Sequence, residues 1–101
     1  MYGTIGHLHL KPNQIDNLKQ FLQNLESRPG VLALSLVAKD GNTSDYYWTI
    51  VWVDKVAHDA NNSRPEAPAE YQQLLGMLAG DPSWHSGEIV YGMQTQQRIY
   101  D

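Results

Sequence analysis

The chain has 101 residues, with seven lysines and arginines against eleven aspartates and glutamates, for a formal net charge of −4. That length suits one domain with a modest core, and so few scattered cations exclude a phosphate-tracking nucleic-acid surface. With no cysteine there is no disulfide framework, thiolate nucleophile or cysteine-based zinc or iron–sulfur site.

The opening YGTIGHLHL (Tyr2 to Leu10) alternates as a strand, with Tyr2, Thr4, Leu8 and Leu10 on one face and Ile5, His7 and His9 on the other. Lys11-Pro12 ends it. Asn13 is placed to cap a helix, with Asp16 in its first turn. Ile15, Leu18, Leu22 and Leu25 then recur at helical spacing beside Phe21, and Pro29-Gly30 stops that helix. VLALSLVAK (Val31 to Lys39) and YYWTIVWVD (Tyr46 to Asp54) read as a hairpin pair around the Asp40-Gly41 turn signal. Asp54 is placed to cap a short helix, KVAHDANN. A second main helix is expected from about Glu66 to Ala79, with Pro65 and Pro68 confined to its start. Gly80 and Asp81-Pro82 end it. The run DPSWHSGE then reads as a loop, and Glu88 to Met93 as a fourth strand. The last residues, 92–101, read as a tail or an edge strand.

This order is β-α-β-β-α-β, the ferredoxin-like arrangement: one α+β domain over 1–101, with a four-stranded antiparallel sheet and its helices on one face. The two hairpin strands carry apolar residues on both faces. A face left uncovered by helices would be a liability in a monomer, so a homodimer packed sheet to sheet is expected. The longest apolar run, VLALSLVA, is far short of the roughly 18 residues of a membrane span. The N-terminus has no secretion-signal pattern. A cytoplasmic protein with no membrane or nucleic-acid partner is the expectation.

YGTI…LHLKPN, DYYWTIVWVD, SRPE…EYQQLLGML and above all DPSWHSGE resemble the antibiotic biosynthesis monooxygenase (ABM) superfamily, in particular its small uncharacterised bacterial members. The resemblance covers residues 2–91. It implies a dimeric α+β barrel of ferredoxin-like protomers with a pocket between sheet and helices. Some members of that family oxidise anthrone-like polyketides or quinols with O₂ and no bound cofactor, and others degrade haem. The haem-degrading pattern needs an asparagine on the first strand, a tryptophan after the third strand and a histidine in the next helix. Those positions hold none of them here, which disfavours haem degradation. In the polyketide-oxidising pattern of Asn, Trp and Tyr, Asn61 or Asn62 and Tyr71 match in part, whereas Trp84 lies on a different element.

Cofactor-free oxygenation needs a base, donors for a developing oxyanion and a dry pocket. His85 is the first candidate base and His58 the second. Trp84, Tyr71 and Asn61 are the candidates for positioning the substrate, a small quinol- or anthrone-like aromatic. Each also has a plainer role: Trp84 as a plug over the core, His85 as a cap for helix carbonyls, Asn61 as a turn former, Tyr71 as core. Tyr46, Trp48 and Trp52 read mainly as packing surface. His7 and His9 share a strand face, and His-x-His can hold two positions of a metal with His58, His85 or Glu88 as a third ligand. A polar seam is the simpler reading, and no metal is expected. No glycine-rich phosphate loop or dinucleotide fingerprint is present, so no cofactor is expected. The rival function is a noncatalytic dimeric barrel that binds a small hydrophobic ligand or acts in a stress response.

Overall fold

The computed structural model describes residues 1–41 and 44–92. The elements are β1 (Tyr2–His9), α1 (Ile15–Glu26), β2 (Val31–Ala38), β3 (Asp45–Trp52), α2 (Lys55–Asn62), α3 (Ala67–Gly76) and β4 (Ser83–Glu88). The strands form one sheet in the order β2-β3-β1-β4, with every neighbouring pair antiparallel. This is the expected ferredoxin-like α+β architecture. No helix among the described residues is long and apolar enough to cross a membrane.

Strand alternation divides the sheet into two faces. Tyr2 and Leu8 of β1 and Trp48, Ile50 and Trp52 of β3 turn toward the helices and are buried. Leu18, Phe21, Leu22 and Leu25 of α1 meet them from above, with Leu74 of α3 and with Met77 and Leu78 just beyond it. The opposite, open face carries Ile5, His7 and His9 on β1, Tyr47 and Thr49 on β3, and Ser35 and Val37 on β2. It is more mixed than the strand pattern suggested. Ile5, Val37 and Tyr47 are exposed hydrophobics, but a Ser35–Thr49 hydroxyl pair crosses the ladder between them.

Three local expectations change. Asn13 does not cap α1: it takes a left-handed turn at φ 65°, and Gln14 occupies the N-cap, its side chain accepting from the Asn17 side chain rather than from a helix amide. The second main helix is shorter than expected, ending at Gly76. The residues that follow it pair with the end of β1 instead, Leu78 bridging Leu10 and the Ala79 amide donating to the His9 carbonyl at 2.8 Å. The fourth strand is Ser83–Glu88 rather than Glu88–Met93. Tyr91 and Gly92 are not in a strand, and the rest of the expected tail lies outside the described residues. Asp54 does cap α2, its Oδ1 accepting the Ala57 amide at 2.8 Å.

Candidate active site

A cavity of about 550 Å³ opens between the helix-facing side of the sheet and the three helices, well within the usual size of a small-molecule site. Thr4, Trp48, Ile50, Trp52, Trp84 and Ser86 make the floor. Phe21 and Leu25 of α1, His58, Asn61 and Asn62 of α2, and Tyr71 and Leu74 of α3 make the walls.

The revised fourth strand decides which of Trp84 and His85 can reach this cavity. Consecutive strand residues face opposite ways. Trp84 pairs with Gly6 and lines the cavity, whereas His85 pairs with Ile5, so its side chain belongs to the open face. The geometry therefore separates the pair that the sequence sets side by side, and His85 is not among the lining residues. His58, Asn61, Tyr71 and Trp84 are brought together.

Trp84 packs directly against Gly6. A Cβ added there would sit 2.4 Å from the indole ring, so the close approach requires glycine. The indole meets Trp48 edge-on, with ring centroids 5.3 Å apart. Its N–H donates to the Tyr71 hydroxyl at 3.2 Å, which leaves the Tyr71 proton available to a ligand. Trp48 and Trp52 also line the cavity, and their indole N–H groups are buried without a partner among the described residues. A buried donor left unpaired costs about 1–3 kcal/mol; both nitrogens are closed off from the cavity, which meets the indole rings instead.

His58 stands at the other end, its side chain 17% exposed, against Trp52 and Tyr2. A one-way chain of hydrogen bonds runs through it. Arg64 Nε donates to Asn61 Oδ1 (3.2 Å), Asn61 Nδ2 reaches Asn62 Oδ1 (3.5 Å), and Asn62 Nδ2 meets His58 Nε2 at 3.3 Å. On the far side His58 Nδ1 meets Asp59 Oδ1 at 2.9 Å, and Lys55 Nζ donates to Asp59 Oδ2 at 2.7 Å. Arginine can only donate and an ionised carboxylate can only accept, so Arg64 at one end and Asp59 at the other fix the direction of every link between them. The proton sits on Nδ1 and the lone pair on Nε2, the nitrogen that accepts from Asn62. The Lys55 ammonium, and after it the His58 hydrogen bond, hold the Asp59 carboxyl below its ordinary range.

Arg64 is itself tied down. It donates to both oxygens of Glu70, at 2.5 and 3.3 Å, and Arg28 adds a third bond at 2.8 Å. The Arg64 hydrogen bond, supported by Arg28, lowers the Glu70 pKa against the effect of its partial burial. Read from sequence, Arg64 is an isolated cation. In the fold it orients Asn61 and links α2 to α3. Asp59 was also missed, Asn62 was named only as the alternative to Asn61, and Trp48 and Trp52 mainly as packing surface; the Asp59–His58 adjacency and the i,i+4 spacing of His58 and Asn62 on one helix are the signals in sequence.

No protein-family profile and no curated protein matches the chain. Solved structures do. A Chloroflexus aurantiacus protein assigned to the antibiotic biosynthesis monooxygenases is 26% identical, with a TM-score of 0.73 over 92% of this chain and 96% of that one. One from Deinococcus radiodurans, 16% identical, superposes at 0.76 over 96% and 100%. One from Caulobacter crescentus, also 16% identical, gives 0.72 over 89% and 90%.

Proposed function

The chain has the fold of the antibiotic biosynthesis monooxygenase superfamily, and from that premise we propose that it is a cofactor-independent monooxygenase of small aromatic substrates of the quinol or anthrone kind. The observation that carries the reading is His58. It sits in the wall of an aromatic cavity, with a carboxylate on Nδ1 and its lone pair at Nε2. A flat substrate fits between the Trp48, Trp52 and Trp84 rings. Nε2 takes a proton from the substrate once the Asn62 amide yields its place, and Asp59 stabilises the imidazolium that forms. The Tyr71 hydroxyl and the Asn61 amide supply donors for the oxyanion.

The electron count needs no added reductant. When the ring CH₂ of an anthrone becomes C=O, it gives up four electrons, which reduce O₂ completely. One oxygen atom becomes the new carbonyl oxygen on the ring carbon, and the other leaves as water with the two hydrogens. The protein supplies the base, the donors and exclusion of water. The same reading carries a cytoplasmic homodimer, the second copy supported by Ile5, Val37 and Tyr47 on the open face.

Oxygen uptake by metal-stripped protein with a panel of anthrones and hydroquinones, autoxidation subtracted, tests this. His58→Ala is expected to lower the rate about 10²–10⁴-fold, the usual worth of a general base, while His85→Ala leaves it unchanged. Background traces from the unaltered protein would reject the enzyme. One observation favours the rival, a noncatalytic ligand-binding barrel: the lone pair of His58 is already engaged by Asn62.

A further inference from the structure

On the open face, away from the cavity, the β1–β3 ladder gathers three side chains capable of holding a metal. His7 and His9 share one side of β1, and His9 lies directly across from Asp45. The third residue is thus neither His58, His85 nor Glu88, because strand register rather than chain order selects it. His7 Nε2 is 3.5 Å from Asp45 Oδ1, and His9 Nδ1 meets the same oxygen. One ligand atom from each of the three residues lies within 4.8 Å of the others.

Two further observations point beyond a polar seam. His7 is held in place by stacking on Tyr47, with ring centroids 4.7 Å apart and planes within 10°. Its Nε2 is buried with no hydrogen-bond partner among the described residues, although it faces a carboxylate. Two imidazole nitrogens thus converge on one oxygen of the buried Asp45 side chain. One cation between the three would give the buried His7 Nε2 a partner. Metal–ligand bonds of about 2.1 Å in a tetrahedral site put donors about 3.4 Å apart, close to the His7–Asp45 spacing. His9, with its side chain 47% exposed, has room to turn back to a similar distance.

We propose that His7, His9 and Asp45 form a site for a divalent transition-metal ion of the zinc type, these three being the ligands that one chain supplies. Two imidazoles and one carboxylate suit zinc, iron, nickel or copper, whereas magnesium and calcium require oxygen donors. The site lies on the other face of the sheet from His58 and does not depend on the chemistry of the cavity.

Titration of metal-stripped protein with Co²⁺, followed by calorimetry and visible absorption, decides the matter. The expected result is one saturable equivalent per chain, displaced by Zn²⁺ and untouched by excess Mg²⁺. Affinity should fall with acidification, because ligating imidazoles must be deprotonated. His7→Gln and His9→Gln should each weaken binding about a hundredfold or more, beyond the roughly 10–100-fold cost of losing an outer-shell partner. His85→Gln, a neighbour on the same face, should bind as the unaltered protein does. Asp45→Asn should follow the histidine variants; should it fail to fold, the two half-exposed histidines still carry the test. Absence of saturable binding, equal competition by Mg²⁺, or unaltered affinity in His7→Gln and His9→Gln would overturn the site.

Discussion

Trp84 owes its position to a residue with no side chain. Because its ring rests on Gly6, Gly6→Ala forces the indole off the floor and is expected to cost about 1–3 kcal/mol, as overpacking does. Trp84→Ala removes a half-buried aromatic from the core margin and should cost about 2–4 kcal/mol, on the lower side of buried aromatic truncations. Denaturant midpoints measure both. The double variant should lose less than the sum, since alanine at position 6 no longer meets a ring. Trp84→Ala with intact stability and lost ligand binding would instead make the indole a binding group alone. At this scale the sequence was only half legible. Trp84 could be singled out as a large aromatic past a helix end, but pairing it with His85 as one site treated the run as a loop. Once Ser83–Glu88 pairs with β1, alternation sends the two side chains apart, and no local pattern in DPSWHSGE reveals that pairing.

Among elements, Glu70 is the residue through which three segments are joined: Arg64 after α2, Arg28 after α1, and its own α3. Its carboxyl has an ordinary value of 4.5, lowered in the fold chiefly by Arg64. A lowered carboxylate stabilises the fold in full above its unfolded value and loses that contribution as pH falls through the folded value. Acid should therefore weaken the protein from about pH 4.5 downward, and Glu70→Gln should flatten that limb of the stability–pH curve while lowering stability at neutral pH. Urea midpoints taken across the acid range check the sign. The elements themselves were readable where the signals are covalent or periodic: the α1 stripe, the Asp54 cap and the hairpin at Asp40-Gly41 all stand where the pattern put them. The end of α3 was not, because Met77 and Leu78 continue the helical spacing of Leu74. Their backbone instead serves the end of β1, through Lys11 to Met77 and Ala79 to His9. Such a choice is made by tertiary hydrogen bonding, which propensity does not register.

At the scale of the molecule, the open face states an expectation about assembly. Light scattering coupled to size exclusion should return twice the chain mass. Val37→Lys, at an exposed position of β2, should shift the protein toward monomer while leaving the cavity-facing core in place. A stable monomer in the unaltered protein would mean that the Ser35–Thr49 pair and the histidines make this face polar enough to meet water. The ferredoxin-like order was legible as a whole because it follows from counting elements and their periods. The cavity was implied by the family resemblance alone: its lining comes from three strands and three helices, and its volume depends on how far the helices stand off the sheet.

α2 contributes no fully buried side chain, yet it carries His58, Asn61 and Asn62. It is hung from the sheet near Gly30, whose φ of 86° and missing Cβ let Ala57 come close, a Cβ there falling 2.5 Å from that of Ala57. The segment that bears the base is thus held at its two ends, at Gly30 and through the Arg64–Glu70 pair, rather than along a buried stripe. Amide hydrogens of residues 56–62 should exchange with solvent sooner than those of α1, and a ligand that fills the chamber should slow them. Entry and chemistry would then be tuned by the same eight residues, so a substitution that stiffens this segment exchanges turnover for retention.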